Sequence, residues 1–276
     1  MLRFALILLF AFAAQPAANP TSWEGPMEPF HVMDNIYYIG TRDLASFLIT
    51  TPEGHIVVNS LYQRTVPRLR ANVEKLGFKF SDVKILLGSH AHSDHMEGDT
   101  LFKELTGAQV MVMAEDVPML KTLSWKGRPH PVDRILKDGD EVTLGGTTLK
   151  AIRTPGHTKG STTWTFQATE DGKVYNVAII PGMNMNAGEV LVGNKAYPEI
   201  ADDYEATFET IRHLPVDVFL ATHGTMFQML KKVSLLATRK PGDPNPFIDP
   251  KGLRYYMNKM ERQFRERLAS QRSAAK

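Results

Sequence analysis

The sequence predicts an α/β fold, a four-layer αββα sandwich, and three observations predict it. The 276 residues are 43% apolar, enough for a large buried core, and contain no cysteine to staple a smaller one. Strand patterns come first and mixed strand and helix patterns follow, and the order then repeats, so the chain reads as two similar halves that each place helices outside a sheet. No low-complexity tract or long linker interrupts residues 19–276, which are expected to form a single domain.

The elements follow in order. In "MLRFALILLFAFAAQPAANP", Arg3 precedes an apolar stretch from Phe4 to Ala14, with Ala11 and Ala13 in an A-x-A arrangement; residues 1–18 read as a secretory signal peptide. The stretch is short for a bilayer span and no second one follows, so the expectation is no membrane anchor and export to a bacterial periplasm. "NIYYIG" and "SFLITTPEGHIVVNS" are β-branched and aromatic runs, the second folded into a hairpin at Pro52-Glu53-Gly54. "RTVPRLRANVEKLG" puts Val66, Leu69, Val73 and Leu76 on one face and Gly77 past the last turn, which predicts an amphipathic helix. "VKILLGS" reads as a buried strand, residues 99–105 as a helix and "AQVMVM" as a strand. The second half gives a hairpin, "DEVTLGGTTLKAIRT", turned at Gly145-Gly146, then strands "STTWTFQA" and "VYNVAII". A helix at "DDYEATFETIRHL", a strand at "VDVFLAT" and a last helix at "GLRYYMNKMERQFRERL" complete the series.

Charge excludes one class of partner. The 32 basic and 30 acidic residues are interspersed, so no basic field exists to hold nucleic acid.

The chemistry is concentrated in "LLGSHAHSDHMEG", residues 86–98. It sets His90, His92, Asp94 and His95 within six positions directly after an apolar run. His90 and His92, two apart, can point to one side of an extended segment, while Asp94 and His95 follow where the loop turns into a helix. His157 in "RTPGHTKGS" and His223 in "FLATHG" stand at further strand ends, where loops let side chains converge. Five imidazoles and one carboxylate suit two Zn2+ ions with three protein ligands each and room for solvent, the arrangement of catalytic zinc. His31, His55, His130 and His213 lack such company and read as surface or hydrogen-bonded residues.

With H-x-H-x-D-H, "TPGHTKGS" and "FLATHG" in place, the chain resembles the metallo-β-lactamase superfamily over almost all of its expected mature length. Glyoxalase II, the acyl-homoserine lactonases and many phosphodiesterases of that superfamily carry a further aspartate at the end of a strand between the last two histidines. Here that strand, "VYNVAIIPGMNMN", ends in Pro181-Gly182-Met183, and the nearest acids, Glu170, Asp171 and Glu189, lie in a turn or downstream. "RDLASFLITTPEG", "YPEIADDYEATF" and "GDPNPFIDPKGLRYY" resemble the third subclass of the zinc β-lactamases, and "TPGHTKGS" with Met183 is similar to its Elizabethkingia-type branch, which has glutamine where this chain has His90. The resemblance implies that His90, His92 and His157 hold one zinc and Asp94, His95 and His223 the other. It implies that Asp94 orients the hydroxide formed between them, and that the substrate is a β-lactam. Another ester, lactone or amide, and a non-catalytic zinc-binding role, remain open beside it.

Four departures matter. "MEGD" places Glu97 near the metals, where it reads as a solvated loop acid, and Asn59 stands where the family often has an aspartate behind the metals. Met183 and Met185 occupy places where many members hold the substrate carboxylate with hydroxyls and are expected to line the substrate site, although a thioether donates no hydrogen bond. Asn184, Asn186, Lys159 or the basic residues Lys126 and Arg128 of "SWKGRPH" are the expected substitutes, with weak ground-state binding of substrate.

Overall fold

The computed structural model describes residues 23–275; the expected signal peptide lies outside the described residues. Two sheets face each other. β1 (Phe30–Met33), β2 (Ile36–Tyr38), β3 (Phe47–Thr51) and β4 (Gly54–Val58) are antiparallel neighbours. β5 (Val83–Leu87) and β6 (Gln109–Met113) add in parallel. A small hairpin, β7 (Ser124–Trp125) and β8 (Arg128–Pro129), stands apart, and β9 (Arg134–Leu136) closes the seven-stranded sheet beside β6. The second sheet runs β10 (Glu141–Leu144), β11 (Thr147–Arg153), β12 (Thr162–Glu170), β13 (Lys173–Ile180) and β14 (Val218–Ala221), antiparallel up to β13, with β14 parallel to it.

Helices cover the outer faces. In the first half they are α1 (Val66–Lys75), α2 (Ser93–Met96), α3 (Asp99–Thr106) and α4 (Val117–Leu120), and in the second α5 (Ile200–His213), α6 (Met229–Ala237) and α7 (Pro250–Ala274). The alternation of β3 and β5 separates two cores. Phe47, Ile49, Ile85 and Leu87 join the large core with Trp164, Ile179 and the apolar faces of α5 and α7. Leu48 and Leu86 face the other way and pack with Leu69 and Val73 of α1 and Phe102 of α3. This is the αββα order expected.

Local chemistry explains the boundaries. α1 takes Pro67 in its first turn and ends at Gly77, whose φ of 89° lets Gly77 N and Phe78 N reach back to Glu74 O at 3.0 Å and Val73 O at 3.2 Å. Gly145 and Gly146, at φ 50° and 86°, make the two-residue turn between β10 and β11. β1, β7, β8, β9 and α6 were not expected. β7, β8 and β9 are only two or three residues long and largely exposed, and β1, though half buried, has only four residues in which to show a pattern. α6 starts after Gln228 at φ 56° with no side-chain cap to announce it. Among the described residues no helix is long and apolar enough to cross a membrane.

Candidate metal centre

The loop after β5 is fixed by neighbours on four sides. Gly88 N donates to Met111 O of β6 at 3.2 Å, Thr162 N to Ser89 O at 2.8 Å, and Ser89 N to Asn59 Oδ1 at 3.0 Å. Trp164 Nε1, from the buried face of β12, donates to Gly88 O at 3.0 Å. A Cβ on Gly88 would lie 2.6 Å from Met96 Sδ, so the loop runs where only glycine fits without a shift. His90 therefore emerges 2% exposed and His95, one turn into α2, fully buried.

These elements bring the six expected residues into two groups. His90, His92 and His157 form one, Asp94, His95 and His223 the other, and in each the candidate ligand atoms lie within 4.8 Å of one another. The rings of His92 and His157 both stand 4.7 Å from a ring of the first group, and His90 meets His95 at 4.2 Å, so the groups are adjacent. Asp94 Oδ2 lies 3.2 Å from His95 Nε2 and 3.4 Å from His223 Nε2. The other four histidines stand apart. His31 Nε2 meets Asp34 O, His130 Nε2 meets Met96 O, His213 Nδ1 meets Glu209 O, and His55 packs on Phe78. Glu97 belongs to neither group.

In three of the five ligand imidazoles Nδ1 is engaged by a group able to accept. His157 Nδ1 bonds Asn184 O at 2.8 Å, His90 Nδ1 meets Ser89 Oγ at 3.2 Å, and His223 Nδ1 meets Asp43 Oδ2 at 2.9 Å. Such partners fix ring orientation and tautomer and leave Nε2 for a metal. Asp43 also accepts from Thr225 N at 2.7 Å, which ties the loop before β3 to the loop after β14. Asp116, 3% exposed, clamps the two loops of the first group: it accepts from Ala91 N at 2.8 Å, Thr158 Oγ1 at 2.9 Å and Gly160 N at 2.7 Å. Sequence reasoning singled out neither aspartate. Asp43 lies 180 residues from its histidine, and Asp116 lies 44 residues from Gly160, with no spacing rule to join them.

The electrostatics suit a cation. Burial pushes the His90 imidazole well below its ordinary range and His157 to about 3, so both are neutral and able to donate a lone pair. Burial would raise the Asp94 carboxyl, but hydrogen bonding from His223 and His95 outweighs it and holds Asp94 anionic. Burial would likewise lower His223, but hydrogen bonds to Asp43 and Asp94 outweigh it and raise His223 to about 9. His90 Nε2 is shielded from solvent and has no hydrogen-bond partner, and a buried polar atom left unpaired is costly unless something binds it. Imidazole and carboxylate donors of this kind fit zinc.

Two hollows flank the centre. One of about 600 Å3 opens beside His92 and His157 and is lined by Lys159, Asn186, Glu189 and Tyr197. The other, of about 360 Å3, opens beside His223 and is lined by Trp23, Asn184, Tyr255 and Lys259. Lys159, Asn184 and Asn186 are thus at the cleft, but Met183 is not. It is 1% exposed with its side chain in the large core, and Met185 packs partly buried against the same core, so neither lines a hollow. The expectation of contact between Met183 and substrate is corrected: the residue follows the buried end of β13, and its side chain continues the inward face. Lys126 and Arg128 stand over Trp125 on the β7–β8 hairpin, outside both hollows.

The chain is similar to known proteins in both sequence and fold. The sequence profile of the metallo-β-lactamase superfamily matches residues 40–171. The native FEZ-1 metallo-β-lactamase from Legionella gormanii is 42% identical, with 90% of this chain and 97% of that one covered and a TM-score of 0.85. BJP-1, a subclass B3 metallo-β-lactamase of Bradyrhizobium japonicum, is 37% identical, with 93% and 99% covered and a TM-score of 0.84. The metallo-β-lactamase GOB-18 from Elizabethkingia meningoseptica is 33% identical, with 97% and 100% covered and a TM-score of 0.82. Curated relatives include a hydroxyacylglutathione hydrolase of Hyphomonas neptunium, 32% identical over 100 residues, 36% of this chain. The chain spans only 34% of that relative's length.

Proposed function

Because the chain belongs to the metallo-β-lactamase superfamily and is by that membership a metallo-hydrolase, we propose that it holds two Zn2+ ions and opens the β-lactam ring of penicillins, cephalosporins and carbapenems. The observation that carries the reading is the pair of adjacent three-residue groups, each complete, at the floor of an open cleft. His90, His92 and His157 would hold one ion and Asp94, His95 and His223 the other. Zinc bound there supplies Lewis acidity, which polarises a carbonyl and acidifies a water enough to attack near neutral pH.

The chain's own groups supply orientation. Asp94, anionic between two imidazoles, accepts a hydrogen bond from the attacking water and fixes the direction of its lone pair. Lys159 and Asn186 offer donors to a substrate carboxylate in the larger hollow, although Lys159 also stands 4.8 Å over the Tyr197 ring. Ser89 lies beside His90 but is 1% exposed, so it orients the imidazole and is out of reach as a nucleophile.

The curated match favours a second reading, hydrolysis of a hydroxyacyl-glutathione thioester. Against it, β13 runs into Pro181, Gly182 and Met183 with no acid at its end, and each group has three residues with Asp94 the one carboxylate. The signal peptide expected at residues 1–18 would direct the protein to the periplasm, and sequencing the amino terminus of the mature protein tests that.

Chemistry provides the test. A chelator should abolish lactam hydrolysis and added zinc restore it, clavulanate should have no effect, and intact-protein mass spectrometry during turnover should show no adduct. A trapped adduct of substrate mass would sink the mechanism.

A further inference from the structure

Asn59 faces two N–H groups with a single oxygen. The residue is 1% exposed at the end of β4, where a φ of 70° turns the chain away from the sheet. Its Oδ1 accepts from Ser89 N at 3.0 Å, and its Nδ2 lies 3.5 Å from His95 Nδ1. The nitrogen that His95 turns towards Asp94 and His223 is the other one, Nε2, which is 3.2 Å from Asp94 Oδ2 and otherwise without a partner. A neutral imidazole that gives Nε2 to a metal carries its proton on Nδ1. In the loaded site, a His95 N–H therefore points at the NH2 of Asn59. Turning the amide end for end moves the conflict to Ser89, whose N–H would then face the NH2 instead.

Elsewhere in the centre the match is right. His223 Nδ1 has the Asp43 carboxylate, His157 Nδ1 a carbonyl and His90 Nδ1 a hydroxyl, all able to accept. Of these four imidazoles, His95 is the one that meets a donor.

We propose that Asn59 is a positioning residue that keeps the zinc affinity of the Asp94, His95 and His223 group below that of the other group, making its ion the exchangeable one. Zinc supply then decides how many chains carry both ions. The proposal rests on the two-zinc reading of the site and not on which bond is cleaved.

The experiment is stepwise transfer of zinc from the fully loaded wild type to a chromophoric chelator, beside Asn59→Asp, His92→Ala and His223→Ala. The wild type should release its ions in two steps, with the looser step absent from His223→Ala and unmoved in His92→Ala. An aspartate offers one oxygen to Ser89 and the other to His95, so Asn59→Asp should hold the looser zinc roughly ten- to hundredfold more tightly, the usual weight of a ligand histidine's partner. The assignment by the two histidine variants stands even where the buried aspartate prevents folding. Simultaneous release from the wild type, a looser step lost with His92→Ala instead of His223→Ala, or an unmoved second step in folded Asn59→Asp would overturn the proposal and leave the two-zinc site intact. One zinc only at saturation, in both wild type and Asn59→Asp, would overturn the two-zinc reading and this proposal with it.

Discussion

His223 stands between two carboxylates, Asp43 on Nδ1 and Asp94 on Nε2. Replacing Asp43 by asparagine keeps the shape of the contact and removes the charge that raises ligand basicity. Asp43→Asn should therefore weaken zinc binding by roughly ten- to hundredfold, read by chelator competition, and should also lower the melting temperature of the metal-free protein, because the His223 imidazolium loses one of its two carboxylates. Met183 should act on stability alone. Because its side chain fills the large core, Met183→Ser should cost about 2–5 kcal/mol of stability, read by denaturant unfolding, and leave KM where it was. At this scale the sequence makes the ligands legible, since H-x-H-x-D-H after an apolar run is a local pattern. It hides Asp43 and Asp116, whose roles exist only once distant loops meet, and it misleads at Met183, where position in the loop says nothing about which way the side chain turns.

Between elements, Asp116 is the hinge pin of the first group: one carboxylate satisfies Ala91 N, Gly160 N and the Thr158 hydroxyl, and so joins the loop after β5 to the loop before β12. A Cβ on Gly160 would sit 2.6 Å from Asp116 N, so the loop before β12 packs directly on the turn that carries Asp116 as well as bonding to it. Asp116→Ala leaves three donors without their acceptor in a buried place, each worth about 1–3 kcal/mol. The expected result is a marked loss of stability together with looser zinc on His90, His92 and His157, measured by thermal unfolding and chelator competition. Retained affinity and an unchanged melting temperature would show the clamp to be dispensable. The elements that carry this site, β5, β11, β12 and β14, are those whose apolar runs are long or bounded by glycine, and they are readable for that reason. β9 and α6 are not, because Arg134 and Ile135 of β9 are exposed and α6 begins without a capping side chain.

Taken as a molecule, the chain is two sheets whose shared core ends in a row of strand-end loops, and every candidate ligand sits on one of those loops or on the short helix α2 that follows β5. The four-layer order was legible because strands followed by mixed strand and helix patterns occur twice along the chain, and each half places its helices outside a sheet. The cleft was legible only in part: Lys159, Asn184 and Asn186 were expected there, but Trp23, Tyr197 and Tyr255 reach it from distant parts of the sequence that no local pattern joins. What the whole fold leaves to experiment is the bond that is cut. The measurement that decides it is steady-state turnover by the purified, zinc-loaded protein of a penicillin and a carbapenem, beside a lactone and a hydroxyacyl-glutathione thioester under the same conditions. The account predicts ring opening of both lactams, lost on chelation and restored by zinc, with kcat/KM well above that for the lactone or the thioester. Negligible turnover of every lactam with efficient cleavage of the lactone or the thioester would contradict it.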